Sequence, residues 1–459
     1  MEKQTDSRHS LGSGKPFLQH LLKAGLQAVD PATAVARHLS LDNRHYLRAT
    51  GGWVADLRET GRVIVIGAGK GTAPMAQAVE HLLGQRLDRG WVVVKDGHGL
   101  PLTRIGSLEA SHPVPDARGA AAASLLAKEI TGLTAADVVI VLLSGGASAL
   151  LPAPREGLSL ADKQATTRLL LASGVAIDDL NAVRKHLSWL KGGQLARLAQ
   201  PARVLCLAVS DVLGDDLGTI GSGPFAPDAT RFADVAAIID RAGLTDRLPP
   251  AVRDLIQRGV AGQETETPFP GDPCFTRVHH LIVASNDQAV AAIAARAQAD
   301  SWHVECSSEP LQGEAAEAGR AFARRARALA QAGRPTVLIA GGETTVTLGD
   351  QPGLGGRNQE FALAAAEILA QPAAKGELPI EILAAGTDGN DGPTEAAGAV
   401  VDSRTWPRAL AAGWDPHRHL TGHDAHPLLT AIGALLVTGP TRTNVMDVAI
   451  AVIGDPAVR

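Results

Sequence analysis

Apolar and polar positions alternate in blocks along this chain. Short apolar runs, each ended by glycine or serine, give way to stretches whose apolar residues recur at helical spacing. The runs Val63–Ile66, Trp91–Lys95, Val138–Leu143, Val204–Val209, Leu281–Ala284, Trp302–Cys306, Val337–Ala340, Ile380–Ala385, Leu435–Thr438 and Val448–Ile453 read as buried strands. Between them, Pro74–Leu83, Asp116–Ile130, Ser159–Ser173, Asp179–Leu198, Glu314–Gln331 and Phe361–Leu369 read as helices. Two further helices lie in Lys15–Leu39, the second opened by Asp30 as N-cap and Pro31 at its first position. Strand–helix alternation predicts an α/β fold with mostly parallel sheets covered on both faces.

A chain of 459 residues is too long for one ordinary core. The segment Pro224–Pro273 breaks the alternation with seven prolines and ends in the polar stretch GQETETPFPGDP. Residues 15–270 and 275–459 are therefore expected to form two α/β domains with a cleft between them. The net charge is −5 with both signs interspersed, and no basic stripe with aromatics occurs, which argues against a nucleic-acid partner. Cys206, Cys274 and Cys306 are too dispersed for a zinc site or a disulfide framework. No apolar run reaches the length of a membrane span. The polar N-terminus, MEKQTDSRHSLGSGKP, reads as disordered rather than as a signal peptide, so the chain is expected to be cytoplasmic, as a monomer or homodimer.

Several glycine-rich turns follow strands, the place where open α/β sheets bind ligands. Gly67-Ala68-Gly69-Lys70-Gly71-Thr72 puts a lysine in such a turn, yet Thr72 occupies the third glycine of a dinucleotide fingerprint. Ser144-Gly145-Gly146-Ala147-Ser148 offers backbone amides and two hydroxyls for phosphate, or simply close helix–sheet packing. Asn181 and Arg184 lie three apart on a polar helical stretch with Lys185, His186 and Lys191, suited to an anion or to a solvated face. Asp211, Asp215 and Asp216 cluster after the strand Val204–Val209, more carboxylates than helix capping requires; one could hold Mg²⁺ or accept a hydroxyl proton. Gly341-Gly342-Glu343-Thr344 ends another strand, and Gly353–Gly356 delivers Arg357 to a helix N-terminus, where a cation is disfavoured unless an anion accompanies it. The loop Gly386–Gly392 carries Asp388 and Asp391 without the spacing of a calcium loop, leaving a magnesium or ribose site open. His423 and His426 make a weak metal signal and read as structural or substrate-proximal.

Taken in order, VIGAGKGTAPMA, LLSGGASALL, NAVRKHLSWLKGGQLA, VSDVLGDDLGTIGSGP, AGGETTVTLG, GLGGRNQEFAL and AAGTDGNDGPTEAAGA resemble the glycerate 2-kinase family, some of whose members were formerly labelled hydroxypyruvate reductases. The resemblance runs from about Lys15 to the C-terminus and carries nothing over for Phe225–Asp272. It implies ATP-dependent phosphorylation of D-glycerate at its 2-hydroxyl, with Mg²⁺, by two Rossmann-like α/β domains with the active site in the cleft between them, and makes Lys70, Asp211 and Arg357 the expected active-site residues. Lys70, Arg357, Asn181 and Arg184 are then candidates for the substrate. Ser144, Gly145, Gly146, Ser148, Gly341, Gly342, Glu343, Thr344 and Asp388 are candidates for the nucleotide, and Asp211 and Asp215 for the metal. A nicotinamide-dependent hydroxypyruvate reductase and a non-catalytic sugar-acid-binding protein are the alternatives.

Overall fold

A computed structural model describes residues 14–349 and 351–455, so most of the polar N-terminal stretch lies outside the described residues. The chain forms two compact units. The first comprises Asp30–Ser285 with Arg442–Asn444; the second comprises the residues before Asp30, Asn286–Thr441 and the chain from Val445.

The first unit opens with a small antiparallel sheet, β1 (Leu39–Asp42), β2 (Tyr46–Ala49) and β3 (Val54–Asp56), which the apolar pattern does not reveal. Its main sheet contains β4 (Val63–Ala68), β5 (Arg89–Lys95), β6 (Ile105–Ala110), β7 (Val138–Leu143), β8 (Arg203–Val209) and β9 (Val278–Ala284). The order is β6-β5-β4-β7-β8-β9 and all five pairings are parallel. Every residue of β4 and β7 is buried, because helices cover both faces. The strand order reverses between β4 and β7, so the turns leaving their carboxyl ends diverge and open a crevice at that point. The expected helix Asp179–Leu198 is two helices, Ile177–His186 and Gln194–Ala199; Gly192 and Gly193, both at positive φ, break it.

In the second unit the sheet is β10 (His303–Cys306), β11 (Thr336–Gly342), β12 (Ile380–Gly386), β13 (Gly398–Asp402), β14 (Leu435–Leu436) and β15 (Asp447–Ile453), in the order β10-β11-β15-β12-β13-β14. Here the expectation of a mostly parallel sheet needs correction: only β10 and β11 pair in parallel, across the helix Ala315–Gln331. β15 enters antiparallel between β11 and β12, while β13 and β14 continue the sheet antiparallel. Strand β15 is buried throughout, and a two-sided apolar run reads the same in either direction. Nor do Leu435–Leu436 pair with β15 as sequence order suggests; β13 is their partner.

The unit boundaries also differ from 15–270 and 275–459. Helix Lys15–Ala28 belongs to the second unit, where Phe17, Leu18, Leu21 and Leu22 pack with Ile293, Trp302, Val337 and Ile450. Phe17 stacks on Trp302 with ring centroids 5.3 Å apart. At the other boundary, β9 extends the first sheet past the proline-rich segment. Within that segment the helices Phe232–Arg241 and Pro250–Val260 belong to the first unit's interior: Phe232, Val235, Val252 and Leu255 share a core cluster with Leu180 and Val183. The second unit is centred on helix Arg357–Leu369, whose alanines and leucines from Ala362 to Ala366 are fully buried. Among the described residues no helix is long and apolar enough to cross a membrane.

Candidate active site

In the first unit, the turns after β4 and β7 are stitched together at the reversal point. The Lys70 amide donates to the Gly145 carbonyl at 2.8 Å. The Gly71 amide donates to Ser144 Oγ at 2.9 Å, and Thr72 Oγ1 lies 3.2 Å from the same hydroxyl. Thr72, which breaks the dinucleotide fingerprint, thus has a structural partner. Ser144 is buried, and its hydroxyl holds the two turns in register. Gly145 permits close approach of Asp211: a Cβ on Gly145 would lie 2.5 Å from Asp211 Oδ2 and 2.4 Å from Asn444 Nδ2. Asn444 donates to Asp211 Oδ2 at 3.3 Å and so orients the carboxylate. A Cβ on Gly146 would lie 3.5 Å from Lys70 Cγ and 3.0 Å from the His112 ring. Lys70, Asp211, His112 and Asn444 therefore surround the Gly145-Gly146 backbone.

The other first-unit candidates separate. Ser148 Oγ accepts from Arg184 Nη2 at 2.5 Å, so a residue read as a nucleotide contact and one read as a substrate contact share one position. Asn181 is buried one helical turn before Arg184. Asp216 caps its own turn, accepting from Thr219 Oγ1 at 2.6 Å. Asp215 sits at φ 56 with its amide on the Val212 carbonyl at 3.1 Å. Among the described residues no three His, Cys, Asp or Glu side chains are gathered to hold a metal.

In the second unit, Arg357 is the first residue of its helix, and the anion it needs there comes from the protein. Nε and Nη2 form a fork on Asp447 at 2.5 and 2.9 Å, and Nη2 also reaches Glu343 Oε1 at 2.9 Å. Asp447, at the start of β15, is 1% exposed. Burial opposes the guanidinium charge, but the fork outweighs it and holds Arg357 protonated above its ordinary range. Glu343 follows Gly341-Gly342 at the end of β11, and Thr344 beside it is buried. A Cβ on Gly386 would lie 3.5 Å from both Asp388 Oδ1 and Asp447 Oδ1, so Asp388 borders the same acidic group.

Asp391 supplies the cap that the helix start requires. Its oxygens accept from the Asn358 and Gln359 amides at 3.0 and 2.8 Å. Gly356 is obligatory beside it, since a Cβ there would overlap the Asp391 carboxylate at 2.3 Å. His423 Nδ1 meets Glu360 Oε2 at 2.9 Å and His426 Nδ1 meets Gln359 Oε1 at 2.8 Å. Both histidines fasten the first turn of the Arg357 helix.

Burial, with nearby Asp447 adding repulsion, pushes the Asp391 carboxyl up to about 6 although the two amides favour its charge. A carboxyl raised above its unfolded value of 3.8 contributes stability that is complete at low pH and lost as pH climbs through about 6. The stability of the protein relative to Asp391→Asn is expected to fall by roughly 3 kcal/mol between about pH 4 and pH 7. Denaturant titrations across that range check this. A difference that grows with pH would show that Asp391 ionises readily in the fold.

Asn444 and Asp447 were not singled out as site residues by the sequence. For Asp447 the signal existed: a carboxylate opening a wholly apolar strand must find a cation or a donor.

Residues 17–257 match a family described as a domain of unknown function, DUF4147, and residues 336–447 match the MOFRL family. A glycerate 2-kinase of Pyrococcus horikoshii is 38% identical over 94% of this chain and 96% of its own. A protein of Agrobacterium vitis, named only provisionally as a hydroxypyruvate reductase, is 40% identical over 96% of this chain and 95% of its own. The crystal structure of glycerate kinase from Thermotoga maritima superposes with a TM-score of 0.80 at 35% identity, covering 95% of this chain and 99% of that one. With relatives of this identity covering nearly the whole length, both matched segments and the fold in agreement, the chain belongs to the glycerate kinase family.

Proposed function

We propose that this protein is a D-glycerate 2-kinase, which moves the γ-phosphoryl group of ATP to the 2-hydroxyl of D-glycerate. The observation that carries the reading is the placement of Asp211 and Lys70 against one glycine backbone at the reversal point of a parallel sheet. Phosphoryl transfer asks for positioning and charge neutralisation rather than covalent catalysis. Asp211, steadied by Asn444, accepts or orients the 2-hydroxyl proton. Lys70 neutralises charge on the transferring group, and the Gly145-Gly146 amides face phosphate oxygens. In the second unit, Arg357 and the Gly341–Thr344 turn are separate candidates for holding a reactant anion, and Asp388 for the nucleotide. Mg²⁺ keeps most of its water and needs only one or two carboxylates beside nucleotide phosphates, so Asp211 fits as its protein ligand without a larger acidic cluster. Bound there, the ion would neutralise phosphate charge.

The Agrobacterium relative's name favours a second reading, reduction of hydroxypyruvate by a nicotinamide cofactor. The acidic residues that would hold its ribose are committed elsewhere. Asp88 accepts from the Val63 amide at 2.6 Å, and Asp96 pairs with Arg118 at 2.7 Å. Incubation with D-glycerate and Mg-ATP is expected to release ADP and 2-phosphoglycerate, while hydroxypyruvate leaves the NADH and NADPH absorbance unchanged. Nicotinamide oxidation without ADP release overturns the kinase reading.

A further inference from the structure

Among the described residues, three cations of the first unit lack an acidic partner. Lys163 and Lys191 are 5% and 1% exposed, and Arg184 is half-buried. Their neighbours are balanced: Lys185 has Asp228 at 3.5 Å and Arg155 has Glu264 at 3.7 Å. Among the described residues Lys163, Arg184 and Lys191 touch only neutral oxygens. Lys163 Nζ donates to the Pro152 carbonyl at 2.6 Å. Lys191 Nζ donates to the Ser148 carbonyl and hydroxyl, both at 3.0 Å, and Arg184 donates to the same hydroxyl. Burial, and after it repulsion from neighbouring cations, pushes both lysines well below their ordinary range.

Two of these cations, Arg184 and Lys191, converge on Ser148 Oγ. Neither group can accept, so the two fill both lone pairs of the hydroxyl. Its hydrogen is then given to Ser222 Oγ, 2.7 Å away. The Gly221 carbonyl at 3.4 Å gives Lys191 a third neutral acceptor, so what the arrangement lacks, among the described residues, is negative charge. Burying unpaired charge costs several kcal/mol, an outlay that a bound anion offsets. Ser148 and Arg184 are only half-buried, so the corner is open on their side, two residues from Gly146.

We infer that Lys191 and Ser222 complete, with Arg184 and Ser148, a corner that binds the anionic oxygens of a reactant, carboxylate or phosphoryl. Naming those reactants as D-glycerate and ATP rests on the kinase reading; the corner itself does not. Arg184 and Ser148 make the contacts, and Lys191 acts behind them as a positioning residue that holds the Ser148 hydroxyl and supplies charge.

The test compares the full-length protein with Lys191→Met and Ser222→Ala. Lys191→Met is expected to raise KM for one reactant about 10-fold or more while the other stays within about 2-fold. A rise for D-glycerate identifies a carboxylate site, and a rise for Mg-ATP a phosphoryl site. Inorganic sulfate, as a probe that needs no turnover, is expected to raise the Tm of the parent protein and to do so less in Lys191→Met. If Lys191→Met does not fold, Ser222→Ala removes a single hydroxyl and is expected to raise the same KM by about 3-fold. Equal changes in both KM values, or in neither, together with an unaltered sulfate shift, overturn the inference. A sulfate shift that is lost in Lys191→Met, in a protein without kinase activity, sustains the corner and removes the kinase reading instead.

Discussion

Asp211→Asn is expected to lower turnover by roughly 10²–10⁴-fold while KM for D-glycerate changes little. The substitution keeps the side chain's shape beside Gly145 and lets the new amide oxygen receive the Asn444 Nδ2 hydrogen bond that now measures 3.3 Å. It removes the negative charge and the ability to take a proton. The turn should survive, because Asp216 and not Asp211 carries the cap on Thr219. Steady-state rates from ADP release, measured over a range of magnesium concentrations, separate the two roles open to the carboxylate. Recovery at high magnesium identifies metal binding, and a loss that magnesium does not repair identifies the proton acceptor. Near-normal turnover would falsify any direct part for Asp211 in the reaction.

How much of this was legible in the sequence depended on whether a signal was local. The turns at Lys70, Ser144 and Asp211 could be placed because an apolar run ended by glycine fixes strand, turn and exit direction together. The helix cap at Asp30 was legible for the same reason. Partnerships across long sequence distance were not. The second sheet is mixed because β15 runs antiparallel between β11 and β12, and a fully buried strand carries no mark of its direction. Helix Lys15–Ala28 has an apolar face that says it is buried, not that Trp302 and Val337 are what bury it. Asn444 and Asp447 stand three residues apart, yet one orients Asp211 in the first unit and the other grips Arg357 in the second. Arg357 shows the limit most clearly. Its need for an anion followed from its place at a helix N-terminus, and the same argument served a substrate phosphate and a protein carboxylate equally well.

That ambiguity sets up the second large effect. Arg357→Ala is expected to abolish activity, but the result alone decides nothing, since it leaves the Asp447 carboxylate, 1% exposed, without its cation. Stripping a buried carboxylate of its cation costs up to roughly 3–5 kcal/mol, and because the Arg357 side chain is itself 33% exposed the loss falls toward the lower end, still enough to unfold the second unit in part. Asp447→Asn removes the fork but leaves the guanidinium paired with Glu343 Oε1 at 2.9 Å, so it is expected to be the milder change. The informative variant changes both, Arg357→Gln with Asp447→Asn, which replaces an ion pair by two amides able to bond each other. Its stability is expected to return to within about 1–2 kcal/mol of the parent, because neither buried group then carries an uncompensated charge. Turnover is expected to stay at least about 10²-fold down, since an amide cannot neutralise a carboxylate or phosphoryl oxygen. Denaturant unfolding and ADP release on the same preparations supply both readings. If the paired variant is stable and also active, Arg357 serves only to close the start of its helix onto β15, and the reactant anions are held by the first unit alone.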